Sequence, residues 1–200
     1  MKRLILGSAS PRRADLMRQL ELSFEIVPSP EQEPIPDTPV PSEYALESAT
    51  AKARAVHALL ASRGEADDAI VIGADTIVCL DDQILGKPAD ARDAARMLSS
   101  LSGNIHQVYT GLALQCGTTL LREAVCTTVE MNPFTRADID AYVHSGEPLD
   151  KAGAYGIQGL GARFIERIEG CYYNVVGLPL ARLCALLGTA GHHPNAKTPK

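Results

Sequence analysis

No run of about 18 apolar residues occurs in this 200-residue chain, so none of its segments suits a membrane-spanning helix. The first residues lack the long apolar core of a secretory leader, which sets the expectation of a cytoplasmic protein without a membrane partner. No long basic run offsets the formal charge of −5, and this argues against nucleic acid as a partner. Four signatures are missing as well: the Walker lysine loop, GxGxxG, HExxH and GxSxG. P-loop chemistry and a serine nucleophile are therefore poor readings. The cysteines (Cys79, Cys116, Cys126, Cys171 and Cys184) are odd in number and scattered. That pattern suits neither a disulfide framework nor a zinc site. Cys79, Cys116 and Cys126 fall in strand-like runs, where buried reduced thiols are expected.

What is present begins with Leu4-Ile5-Leu6, which breaks into Gly7-Ser8-Ala9-Ser10-Pro11-Arg12-Arg13. This reads as a strand, a tight turn and the first turn of a helix, with Ser10 as N-cap and Pro11 at the first helical position. Two hydroxyls, helix N-terminal amides and two guanidinium groups then converge, an assembly that favours phosphate. The same residues also suit an ordinary capped helix with two surface arginines, and the motif alone leaves both open.

Strands and helices alternate from there. Residues 23–27 read as a strand, 28–41 as a proline-rich loop carrying Glu31, Glu33 and Asp37, and Ser42 as the cap of a helix to about 63. Leu46, Ala49, Ala53, Val56 and Leu60 form the apolar stripe of that helix. The almost wholly apolar run 69–79 reads as a central strand buried on both faces. Asp90 caps a helix to about 101, strands near 106–115 and 119–130 make a hairpin, and Thr135 with Asp138 opens another helix. A strand near 162–168 and a helix starting at Pro179 follow. The expected organisation is one α/β domain over residues 1–187, built on a mixed sheet, with a disordered tail over 188–200.

Asp75 is the most informative carboxylate, because it interrupts an apolar strand and an unpaired buried carboxylate is costly. It needs a cation, a metal or a hydrogen-bonding network there. Lys52 lies beside the apolar stripe of its helix, whereas Arg54 points to solvent. Lys52 can reach across a cleft wall, although a snorkelling surface lysine fits the same position. Lys87 sits in a tight Gly-Lys-Pro loop. Residues 146–161 hold five glycines, which permits close approach to a flat ligand, and the Gln158 amide can read a base edge. His106, alone at a strand start, reads as structural.

Taken together, SASPRR at 8–13, Glu33, Ala51-Lys52-Ala53, GADT at 73–76, GKP at 86–88, SGNIHQVYTG at 102–111, GEPLDKAGAYGIQGLG at 146–161 and IEGCYYNVVGLPL at 168–180 resemble the Maf family of nucleoside triphosphate pyrophosphatases. The resemblance implies a Maf-like α/β fold with a mixed central sheet flanked by helices, two lobes around a cleft, and commonly a homodimer. It implies hydrolysis of the α–β phosphoanhydride of a nucleoside triphosphate, with Asp75 as general base or water activator. Glu33 and Asp75 would hold Mg²⁺ or Mn²⁺, and Ser8, Arg12, Lys52 and Lys87 the phosphates. The two arginines and GAYGIQG resemble the dTTP- and UTP-directed subfamily, in which Arg13, Thr76 and Gln158 would select the base. The branch acting on 7-methyl-GTP differs at the first arginine and at the position of Gln158. The chain departs from the family at Glu47, where a basic residue is common; a solvent-facing Glu47 is expected. Activity on non-standard purine nucleotides, and a nucleotide-binding regulator of cell division, are the competing expectations.

Overall fold

The apolar run near the amino end becomes the middle strand of a parallel trio. The computed structural model describes residues 2–30 and 40–192. In it β1 (Arg3–Leu6) lies between β2 (Phe24–Ile26) and β3 (Ala69–Leu80), parallel to both. Alternate residues of β1 face opposite ways, as strand geometry requires. Leu4 and Leu6 meet Ala14, Leu16 and Met17 of α1 (Pro11–Gln19), while Ile5 meets Ala49, Ala53 and Val56 of α2 (Pro41–Ala61). The two helices thus cover opposite faces.

β3 outruns β1 and pairs antiparallel with β5 (Ile105–Cys116) and, at its far end, with β4 (Gln83–Leu85). Asp81 and Asp82 make the β3–β4 turn, both at positive φ (46° and 64°), a conformation aspartate tolerates better than most residues. β6 (Thr119–Met131) and β7 (Ile165–Glu169) complete a mixed seven-stranded sheet ordered β2-β1-β3-β5-β6-β7, with β4 beside β3. α3 (Ala91–Leu101) and α4 (Arg136–His144) build a second core on Val78, Val108 and Val129. α5 (Tyr172–Val176) and α6 (Leu180–Thr189) pack with α1. The long strands therefore run through two lobes.

Several local expectations hold. The Asp90 carboxylate accepts from the Asp93 amide at 2.8 Å, and Thr135 and Asp138 form a reciprocal capping box. Others differ. Ser10 occupies the N-cap position of α1, but its hydroxyl caps nothing; the Ser8 hydroxyl instead accepts from the Ser10 amide at 3.2 Å. Ser42 lies inside α2, because Pro41, with φ preset for a helix, takes the first position after Val40. Ala45, not Leu46, is the buried residue at that end. Cys79 is buried, but Cys116, the last residue of β5, is half-buried, and Cys126, on a stretch of β6 with little cover, is exposed; all five cysteines are thiols. Short 3-10 turns over Glu147–Asp150, Ala152–Ala154 and Gly159–Phe164 postpone β7 to Ile165. α6 ends at Thr189, two residues beyond the expected domain limit. No helix among the described residues is long and apolar enough to cross a membrane.

Candidate active site

The order β2-β1-β3 makes β1 a switch point, with the chain leaving to one side through α1 and returning on the other through α2. Crevices form outside the carboxyl ends of strands at such points. Here the crevice is a cleft of about 450 Å³ where Gly7–Arg13 leaves β1 and β3 runs on past its end. Ser8, Arg12, Arg13, Lys52, Asp75, Thr76, Lys87 and Gln158 all line it. Glu33, the expected second metal ligand, lies outside the described residues.

Two glycines set the depth of the site. A Cβ on Gly73 would overlap the Ala49 carbonyl oxygen and sit 2.8 Å from the Ala53 amide nitrogen. A Cβ on Gly111 would overlap the Ala45 carbonyl oxygen. Hydrogen only at both positions lets α2 lie directly on the sheet. Asp75 stands two residues beyond Gly73 and directly opposite Gly111, so its side chain shares their face. Lys52, one turn along from Ala49, comes down on it: Nζ lies 2.7 Å from Asp75 Oδ1, with both side chains 9% exposed. The buried carboxylate has met a buried ammonium, which offsets the cost of desolvating both. Arg54 and Glu47 of the same helix are exposed, as expected.

The opposite face of β3 fixes Arg13. Its guanidinium donates through Nε to the Gly177 carbonyl at 2.9 Å, and through its terminal nitrogens to Ser8 Oγ and Thr76 Oγ1 at 3.1 Å each. Thr76 Oγ1 lies 2.9 Å from Thr110 Oγ1, which donates to the Asn174 carbonyl at 3.0 Å. The Asn174 amide in turn donates to Val108 O and Thr127 Oγ1 at 2.9 Å each. Arg13 and Thr76 are thus one rigid assembly spanning α1, β3, β5 and α5.

The glycine-rich segment forms the facing wall, and Glu147 organises it. Its carboxylate accepts from Tyr142 Oη and the Leu160 amide at 2.9 Å, and from the Gly161 amide at 3.2 Å. Burial pushes the Glu147 carboxyl up, but those donors together with Lys151 outweigh it and hold it below its ordinary value of 4.5. A carboxyl lowered in the folded state stabilises fully above its unfolded value and loses that contribution as pH falls through the folded one. Glu147→Gln is therefore expected to lower the melting temperature at pH 7 and to flatten its acid decline below about pH 4.5, read by melts across that range. Gln158, at the exposed lip of this wall, accompanies Ile157 in lining the cleft.

Asp150 and Lys151, which composition did not single out, also line the cleft. Asp150 joins its two rims: Oδ2 accepts from Arg12 at 3.0 Å and Oδ1 from Lys151 Nζ at 2.7 Å. Their only sequence signal was adjacency within the 146–161 run. His106 is fully buried and off the cleft, with Nε2 2.7 Å from Tyr155 Oη; burial lowers it to about 4, so it is neutral near pH 7. The structural reading of His106 holds.

No cluster of three or more potential metal ligands occurs among the described residues. Asp75 nonetheless fits the mode Mg²⁺ favours, in which one or two carboxylates and substrate phosphates share the ion with water. Oδ1 of Asp75 faces Lys52, while Oδ2 accepts no hydrogen bond from the described residues.

A family profile described as Maf-like protein matches residues 3–190. Among curated proteins, one from Clostridium botulinum (strain Okra / Type B1) named dTTP/UTP pyrophosphatase is 44% identical over 194 residues, 96% of this chain and 98% of its own length. One of the same name from Pelotomaculum thermopropionicum is 45% identical over 195 residues, 96% of this chain and 99% of its own. A third, from Clostridium novyi (strain NT), is 44% identical over 192 residues, covering 94% and 98%.

Proposed function

The chain belongs to the Maf-like protein family, and from that premise we propose that it is a nucleoside triphosphate pyrophosphatase acting on dTTP and UTP. The observation that carries this reading is the cleft itself: Asp75 lies at its floor among the cations Arg12, Arg13, Lys52, Lys87 and Lys151. A triphosphate bears about four negative charges, and fixed cations in a partly dry cleft stabilise both its binding and the charge developing on the leaving group. The relatives' names support the pyrimidine choice.

In the proposed reaction the polyphosphate lies along the Ser8–Arg13 turn, met by the first amides of α1 and by Arg12, Lys52 and Lys87. Asp75 takes the proton of the attacking water as its oxygen bonds to the α-phosphorus. The bond to the bridging oxygen breaks, and the pair of electrons leaves with pyrophosphate. Asp75, together with the substrate's phosphates, would hold a divalent cation, Mg²⁺ or Mn²⁺. When bound, that cation neutralises phosphate charge and polarises the anhydride. Across the cleft, Gln158 reads the base edge while the rigid Arg13–Thr76 pair limits its size.

Pyrophosphate release from UTP, dTTP and 7-methyl-GTP, each with Mg²⁺ and with chelator, tests the reading. Turnover of UTP and dTTP well above 7-methyl-GTP, lost with chelator, is expected. Preference for 7-methyl-GTP would move the assignment to non-standard purines, and nucleotide binding without turnover would favour a regulator.

A further inference from the structure

Five cations face the cleft; Lys52 is paired with Asp75 on its floor, and two others, Arg12 and Lys151, are engaged by a second carboxylate of the chain. Asp150 presents one carboxylate oxygen to Arg12 of the α1 rim and the other to Lys151 of the glycine-rich rim. The two cations differ in how they are held. Lys151 is 14% exposed, and its stem runs beneath Gly156, where an added Cβ would come within 2.9 Å of Cε. Its ammonium also donates to the Glu147 carbonyl. The lysine is therefore built into the wall. Asp150 is 61% exposed and sits at the end of a short 3-10 turn, while Arg12 is 30% exposed at the opposite rim. The Asp150 carboxyl is pushed up by burial but pulled further down by Lys151 and Arg12, so it is an anion at neutral pH.

A carboxylate bridging an arginine and a lysine has the charge sign and the two-oxygen geometry of a phosphate edge. We propose that Arg12 and Lys151 form a subsite for the terminal phosphates of the substrate and hence for leaving pyrophosphate, and that Asp150 is its tethered competitor. This rests on the pyrophosphatase reading and names a part of the site that the expected residue set lacks, Lys151 as ligand and Asp150 as competitor. The substrate exchanges Arg12 and Lys151 from Asp150 to its own phosphate oxygens. After cleavage Asp150, held at high effective concentration, recaptures the cations and promotes product release. No bond forms or breaks in this exchange.

Calorimetry with sodium pyrophosphate in the presence of Mg²⁺ isolates the subsite, because pyrophosphate carries no base and undergoes no turnover by this route. The comparison is wild type, Asp150→Asn, Asp150→Glu and Lys151→Met. For Asp150→Asn the pyrophosphate Kd is expected to fall about fivefold, the scale of one partly exposed charge interaction. Asp150→Glu, which restores the charge, should bring it back towards wild type, and Lys151→Met should raise it. In steady state, Asp150→Asn should lower KM for UTP and strengthen product inhibition, with no gain in kcat. Were Asp150 only a strut for the glycine-rich wall, its amide variant would bind pyrophosphate no better or more weakly, and that result overturns the proposal. Pyrophosphate binding with the expected ranking but no nucleotide hydrolysis would leave the subsite standing and refute the pyrophosphatase reading. Absence of pyrophosphate binding to wild type overturns the subsite, whatever the nucleotide assay shows.

Discussion

Asp75→Asn is expected to lower kcat on UTP by about a thousandfold, the scale of losing a positioned general base, with affinity for UTP measured without the divalent cation unchanged or improved. The asymmetry follows from the geometry. Asparagine keeps the shape and still accepts a hydrogen bond from Lys52 Nζ, which lies 2.7 Å from Oδ1. It cannot take a proton from water, and it removes a negative charge that faces the incoming polyphosphate. Exchanging the charged partner for a neutral one costs stability, on the order of 1.5–3 kcal/mol for a hydrogen bond between charged groups. The fold should survive this, as far-ultraviolet circular dichroism and a melting curve would show. If kcat and affinity fell together, Asp75 would be holding Lys52 in place and not handling the proton.

Gly73→Ala, like the same change at Gly111, should destabilise the fold strongly. The new Cβ meets backbone, the Ala49 carbonyl and the Ala53 amide, so no side-chain rotation relieves it. α2 has to lift off the sheet. Overpacking of this kind costs about 3 kcal/mol, and more when backbone must move. For a chain of this size that corresponds to a drop of roughly 6–12 °C in Tm. Activity should fall as well, because lifting α2 withdraws Lys52 from Asp75. Ala113, opposite Gly73 in the sheet, carries the same methyl in a place that accommodates it. An unchanged Tm in Gly73→Ala would show that α2 does not rest on the sheet as described.

These expectations also mark what could be read from the chain beforehand. Asp75 was legible because a charge inside an apolar strand is a local anomaly, visible without any partner. The Asp90 and Thr135 caps, the β5–β6 hairpin and Pro11 were legible because each depends on residues within a few positions of each other. Ser10 misled because capping preference is only a preference, and Ser8 takes the local hydrogen bond instead. The Lys52–Asp75 pair was not legible as a contact. It spans 23 residues and depends on two glycines that let α2 down onto β3 and β5. Arg13 is further removed still, its partners Thr76 and Gly177 lying 63 and 164 residues away. α5, with five residues, has too little periodicity to announce itself. Asp150 and Lys151 carried no signal beyond their place in the glycine-rich run, because Arg12, the partner of Asp150, lies 138 residues away.

The most direct test of the central claim is the UTP arm of the nucleotide assay run in ¹⁸O-labelled water. The account predicts UMP carrying one ¹⁸O atom and an equal amount of unlabelled pyrophosphate. UDP with labelled orthophosphate, or label in pyrophosphate, would place the attack at a different phosphorus and contradict it.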